Sequence, residues 1–243
     1  MQFSTLPFLV AAVVSFPSIA AFRCHQRNDI SSAELRYVIG YSLLLATWAC
    51  VLTGFVWSGF YQSDVFIAAH PMLWFPFIAL LVASLPIVFL PRLRSPLKTI
   101  GMATPRTWFA ALQATRIAAI GTAIKTCRGE FPVAVEWLLG VPDLLFGFSA
   151  VVMICLLQRG VVSTKAWFIW NLTGALIIVP IGMVVINLSM PGFFQVFTEE
   201  PTFEVVFDSM LALAPTFVVP LQGAGNIWSI INVRLHGPNG RLP

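Results

Sequence analysis

Apolar residues fill seven long stretches of the chain, and short polar segments separate them. The stretches are residues 6–22, 37–60, 65–90, 109–124, 132–157, 167–188 and 210–233. A helix of roughly 20 apolar residues crosses the hydrocarbon core of a bilayer, and each stretch approaches or exceeds that length. The pattern predicts an all-α polytopic integral membrane protein, in which residues 1–243 form a single transmembrane domain, a seven-helix bundle.

The composition agrees with this prediction. Hydrophobic residues make up 58% of the chain, charged residues make up 10%, and the mean hydropathy is +0.86. Soluble globular domains contain about 25% charged residues. A water-soluble fold could not cover so much apolar surface, so the lipid bilayer is the first expected partner.

Basic residues are unevenly distributed between the two sides that alternate threading of the seven stretches defines. One side has only Lys125 and Arg128, and the other has Arg23, Arg27, Arg36, Arg92, Arg94, Lys98, Arg106, Arg159, Lys165, Arg234 and Arg241. Because cytoplasmic segments are enriched in lysine and arginine, we expect the N-terminus outside and the C-terminus in the cytoplasm. The expected location is a bacterial inner (plasma) membrane. The net charge of +4 is therefore a topology signal, and we predict no nucleic-acid partner.

The first stretch resembles a secretory signal peptide in length and position. Such a peptide has basic residues before its apolar core, whereas here Arg23 and Arg27 follow it. This order favours a retained helix.

The longest segment between predicted spans is an outer loop, residues 189–209. It alternates phenylalanines with acidic and small polar residues, and Pro191, Gly192 and Pro201 interrupt it. Two interpretations stay open: an element that lies at the outer membrane interface, and a loop that caps the bundle.

Two charges lie near the middle of predicted spans, Arg116 in 109–124 and Asp143 in 132–157. A charge at the bilayer centre costs about 2.5–3.5 kcal/mol on insertion scales, so it needs a partner or a wet cavity. Only residues 125–131 join the two stretches, so the helices should be antiparallel neighbours with both charges at one depth. We predict an intramembrane ion pair, which could serve as a structural lock, a ligand or ion site, or part of a proton relay.

Three further polar residues are candidates for the same site. Glu136 lies two helical turns before Asp143 on one helix face, where it either lines an outer vestibule or is a solvated interfacial carboxylate. Gln222 and Asn226 follow Pro220 in the seventh stretch, beside Gly223 and Gly225. This composition predicts either a simple kink or a short unwound segment that exposes backbone groups.

Several specific chemistries are excluded by the residues present. The seventh stretch contains no lysine for a retinal Schiff base, and His25, His70 and His236 fall outside the positions that paired haem ligands require. No histidine and acid cluster with metal-ligand spacing is present in the sequence. We therefore predict no catalytic residue, no metal and no cofactor, and do not expect an enzyme.

The function that fits best is binding or transport of a small solute or ion through a polar site at the bilayer midplane. The predicted ligand-binding residues are Arg116, Asp143, Glu136, Gln222 and Asn226. The alternative is a non-catalytic accessory subunit of a larger membrane complex, in contact with pigment, quinone or lipid. Membrane-protein partners or a homo-oligomer fit that alternative.

Overall fold

The computed structural model describes residues 5–235, so Arg241 and His236 lie outside the described residues. Helices are the only regular secondary structure in the described part. Apart from short 3₁₀ helices, the described residues form nine helices: α1 (Leu6–Gln26), α2 (Ser32–Trp57), α3 (Asp64–Ala68), α4 (Phe75–Phe89), α5 (Pro91–Ala103), α6 (106–127), α7 (Val133–Gln158), α8 (Thr164–Ser189) and α9 (210–235).

Within residues 5–235, six helical segments are long and apolar enough to cross a bilayer, which indicates an integral membrane protein. They are Leu6–Gln26, Ser32–Trp57, Pro71–Phe89, Val133–Gln158, Thr164–Ser189 and Met210–Ile231. The remaining long helix, α6, is helical throughout but is not among the six. It contains three basic residues, Arg106, Arg116 and Lys125, and is the helix that carries the predicted midplane arginine.

The third predicted stretch, 65–90, is not one continuous helix. His70 adopts a left-handed conformation with φ of 46°, which separates α3 from the turn Pro71–Leu73 and from α4. The following proline continues the chain in a new direction, because its ring fixes φ and its nitrogen cannot donate. The prediction of a single span over 65–90 is therefore wrong at its first residues.

The basic segment after α4 is also more ordered than a short loop. It forms α5, in which Leu93, Leu97 and Ile100 are buried while Arg92 and Arg94 are exposed. These leucines and the isoleucine recur at helical spacing on one face, which packs against α1 and α2.

Three long helices contain a π turn, a turn with one residue more than an α turn. The π turns are Glu136–Gly140 in α7, Ile177–Gly182 in α8 and Ala214–Val218 in α9. A proline lies within or just after each of them, at Pro142, Pro180 and Pro220. Proline removes a helical hydrogen bond, and a widened turn accommodates the loss.

The helices pair as antiparallel neighbours: α1 with α2, α6 with α7, and α8 with α9. The loop 189–209 contributes to the interior, because Met190, Phe203 and Phe207 are buried. Its tip is different, since Phe193 is 89% exposed. The buried half of the loop supports the cap interpretation, and the exposed tip fits an interfacial element.

Candidate functional site

Arg116 and Asp143 form the ion pair that the sequence predicts. The guanidinium Nε donates to Asp143 Oδ1 at 2.5 Å, and Nη2 contacts the same oxygen. The Arg116 side chain has no exposed surface, while the Asp143 side chain is 15% exposed. The Asp143 carboxylate is therefore the more exposed of the two charged groups.

Two neighbours fix the position of the arginine. Its Nη1 donates to the Gly174 carbonyl of α8 at 3.3 Å, and its guanidinium carbon lies 4.3 Å from the centre of the Phe146 ring. A cation over an aromatic face is attracted by the ring's electron density. Arg116 thus links α6 to α7 and α8.

The backbone around Arg116 has a tight 3₁₀ geometry over Thr115–Ala119. This segment lies directly against Gly147 of α7, where an added Cβ would be 2.6 Å from the Ile117 backbone nitrogen. Only glycine allows this approach, because any side chain would overlap the neighbouring main chain. Gly147 follows Asp143 by one helical turn, so the same contact brings the two charged residues together.

A hydrogen-bonded network extends the pair toward α9. Gln113 Oε1 accepts from Arg116 Nη1 at 3.5 Å and from Asn226 Nδ2 at 3.4 Å. Gln113 Nε2 donates to the Gln222 carbonyl at 3.2 Å, and Gln222 Nε2 donates to the Thr115 hydroxyl at 2.9 Å. Buried polar groups are costly unless they are paired, and this network pairs most of them.

A cavity of about 660 Å³ lies beside the ion pair. At one end it is lined by Lys125, Arg128 and Glu130, and at the other by Arg116 and Asp143. Lys125 follows Arg116 by nine positions, which corresponds to about 13.5 Å of helix. The walls are largely apolar and include Leu6, Leu9, Thr115, Thr122, Leu139, Gly140, Ile178, Phe203, Val206, Ala214, Pro215, Val218 and Gln222.

All three π turns contribute residues to this cavity: Leu139 and Gly140 from α7, Ile178 from α8, and Pro215 from α9, among others. π turns occur disproportionately at functional sites, because the extra residue redirects side chains and frees backbone groups.

The structure separates the remaining predicted site residues. Gln222 lines the cavity, whereas Asn226 is fully buried behind it and contacts Gln113. Glu136 is 3% exposed, so it is not a solvated carboxylate, and it is not among the residues that line the cavity. The helix is continuous through Gly223 and Gly225, and its irregular turn lies before Pro220. The unwound segment that we considered at these glycines is therefore not present.

Comparisons with protein-family models, with curated proteins and with solved structures find no match for this chain. Its own residues and geometry carry the functional argument.

Sequence reasoning missed Gln113, Thr115 and the Gly174 carbonyl. Gln113 precedes Arg116 by three residues, and this spacing places both side chains on one helix face. That signal was present in the sequence. The Gly174 carbonyl has no sequence signal, because a backbone acceptor becomes available only through the approach of α6 to α8.

Proposed function

We propose that this protein binds a small solute or ion in the cavity beside Arg116 and Asp143 and transports it across the membrane. The observation that carries the proposal is the cavity itself, which extends from the Lys125 end of α6 to a buried charge pair. Its volume is within the range of about 300–1,000 Å³ typical of small-molecule sites, and such sites combine apolar walls with few polar groups.

The residues that line the cavity limit the kind of solute that can bind there. The partly exposed Asp143 carboxylate and the Gln222 amide can orient a polar head group, and the apolar walls suit a compact hydrocarbon body. Lys125 and Glu130 face each other at 4.0 Å, which leaves Arg128 as the unmatched charge among these three residues. A small amphiphilic solute, rather than a large or highly charged one, matches this lining.

We also propose that α6 is a seventh crossing, with the N-terminus outside. The basic side chains of α5 support this orientation, because cytoplasmic segments are enriched in such residues. In a background without native cysteines, Glu130→Cys should react with a membrane-impermeant thiol reagent on intact cells. Lys98→Cys should react only after permeabilisation, and the opposite result would reverse the orientation.

Access to the cavity can be tested with two alanines of α6. Ala118 lines the cavity, whereas Ala111, two helical turns earlier on the same helix, is exposed and does not line it. In reconstituted protein, Ala118→Cys should react with a small hydrophilic thiol reagent much faster than Ala111→Cys. Equal, slow reaction of both cysteines would mean that water does not reach the cavity, and the proposal would fail.

Solute binding can be tested with bulkier variants of the same residues. Amines, carboxylates, amino acids and sugars are screened for those that raise the melting temperature, because a ligand that binds only the folded state stabilises it. A true ligand should act on the wild type and on Ala111→Trp but not on Ala118→Trp, which fills the cavity. Uptake of that ligand into proteoliposomes then tests transport.

The accessory-subunit alternative is favoured by one observation. Phe193, Phe194 and Val196 are exposed together at the tip of the outer loop. Exposed apolar clusters commonly mark contacts with membranes or other proteins. Purification in mild detergent discriminates between the two functions, because a subunit would copurify with the same partners in stoichiometric amounts.

A further inference from the structure

Glu136 is a buried acidic residue that takes no part in the Arg116–Asp143 ion pair. It lies in the π turn of α7 and is 3% exposed, and neither carboxyl oxygen has a hydrogen-bond partner among the described residues. A charged carboxylate without a partner is strongly disfavoured in a protein interior. The group must therefore either carry a proton or bind a cation.

The carboxyl group occupies a niche that a glycine provides. A Cβ at Gly140 would overlap the Glu136 carboxyl group, so only glycine leaves room for it. Gly140 itself lines the cavity. The carboxyl is thus held next to a residue of the cavity wall.

The charged neighbours do not supply a counter-ion. Asp143 interacts electrostatically with Glu136 and carries the same sign of charge, and Arg116 is committed to Asp143. Lys125, on the packed segment of α6, faces Glu130. The other segments packed against this π turn, Val133–Val135 and Ile177–Gly182, contain no ionisable residue.

The nearest hydroxyl does not replace the missing counter-ion. The Thr122 side chain lies near Glu136, and its hydroxyl already donates to the Ala119 carbonyl at 2.8 Å. The threonine oxygen therefore offers lone pairs and not a proton. The O–H of a carboxylic acid can donate to such an oxygen. In a carboxylate, the lone pairs of the charged oxygens would instead meet the lone pairs of the threonine oxygen.

We propose that Glu136 is a proton-binding site coupled to the cavity. In the arrangement described here the carboxyl is protonated. When the side chain rotates into the cavity, its O–H bond breaks and the proton passes to a water molecule, which leaves a hydrated carboxylate; the reverse step restores the buried acid. This inference rests on the proposed function, in which the same cavity takes the solute, and it makes protons the coupling ion.

Infrared spectroscopy of the full-length protein in lipid nanodiscs tests the proposal without any solute. The wild type should show the C=O band of a protonated carboxylic acid near pH 7, where an ordinary exposed glutamate is ionised. Glu136→Gln should lose this band. Glu130→Gln is the matched control, because it removes a more exposed glutamate that lines the cavity, and it should retain the band.

Three results would overturn the proposal: a wild type without the band, a band that survives in Glu136→Gln, or a band that disappears when sodium replaces choline in the buffer. The last result would mean that the carboxylate binds the cation. If Glu136→Gln does not fold, Gly140→Ala provides the second test. Its methyl group displaces the carboxyl from the niche, so the band should shift in frequency, and an unchanged band would contradict the proposed location.

The two proposals can fail separately. If the carboxylic acid band is present but the Ala118→Cys variant is unreactive, the solute cavity is refuted. Coupling of Glu136 to that cavity is then refuted as well, whereas the protonated state of Glu136 still stands. A reactive Ala118→Cys variant without the band refutes proton binding and leaves the solute cavity intact.

Discussion

Gly147 and Ile117 define the closest approach of α7 to the 3₁₀ segment of α6, since a Cβ at Gly147 would lie 2.6 Å from the Ile117 nitrogen. The atoms that such a Cβ would meet belong to the backbone and cannot rotate away. This contact is the structural condition for the Arg116–Asp143 pair, which lies one helical turn from Gly147.

Gly147→Ala should therefore destabilise the protein by about 1–3 kcal/mol, the usual cost of overpacking. The measurement is the free energy of unfolding, or the melting temperature, in detergent. Gly40→Ala is the control, because a Cβ at Gly40 meets no atom within 4 Å and alanine is the better helix former. A Gly147→Ala variant as stable as Gly40→Ala would show that the helices can separate at little cost.

Asp143→Asn should cost about 3–5 kcal/mol of stability, because it leaves the buried Arg116 without its counter-charge. The double variant Arg116→Met with Asp143→Leu removes both charges and should recover most of that loss. If the double variant is stable yet no longer binds the solute, the pair acts in binding. A double variant less stable than Asp143→Asn would instead identify the pair as a structural lock.

Gln113→Leu should destabilise the protein by about 1–3 kcal/mol, since it leaves buried partners such as Asn226 without a hydrogen bond. Thermal unfolding measures this effect. Gln158→Leu, at the exposed end of α7, is the matched control and should change stability little. An equal effect of the two substitutions would argue against a stabilising role for the network around Gln113.

Tyr61 should make the protein sensitive to alkaline pH. It lies outside the six apolar helices, and burial raises the pKa of its phenol to about 12. The unfolded chain releases this proton near pH 10, about two units earlier. Over this pH interval the folded state therefore keeps the proton and the unfolded state does not. The contribution of Tyr61 to the free energy of unfolding is fully present below about pH 10 and is lost as the pH rises toward 12.

Between about pH 9 and pH 11, Tyr61→Phe should lose less free energy of unfolding than the wild type. The expected difference between the two proteins is about 1.4 kcal/mol, which corresponds to one pKa unit. Denaturant titrations at the two pH values measure the difference. Tyr37→Phe, which changes an exposed tyrosine, should follow the wild type. If Tyr61→Phe loses as much stability at alkaline pH as Tyr37→Phe, the pKa of the Tyr61 phenol is not raised in the folded protein.

The Arg116–Asp143 pair was predictable because helix geometry is regular. A constant rise per residue and a short connection place two residues at one depth, whatever their surroundings. The amphipathic helix α5 was equally visible in principle, since Leu93, Leu97 and Ile100 recur at helical spacing. It does not form a long apolar stretch, because Arg92, Arg94 and Lys98 interrupt it.

Other features depend on tertiary contact and had no local signal. The 3₁₀ segment around Arg116 forms against Gly147, which is distant in sequence. The burial of Glu136 depends on the space beside Gly140, which no hydrophobic pattern reveals. A glutamate one turn inside a span can extend to the membrane surface, and this ordinary behaviour was the reasonable alternative.

The three π turns around the cavity also imply a mechanical property. Each turn holds one surplus residue, so its conversion to α geometry advances the rest of that helix by a single register step. Such a step corresponds to a rotation of about 100° and a translation of about 1.5 Å. A change of this kind in α7, α8 or α9 would alter which side chains face the interior without breaking the helix.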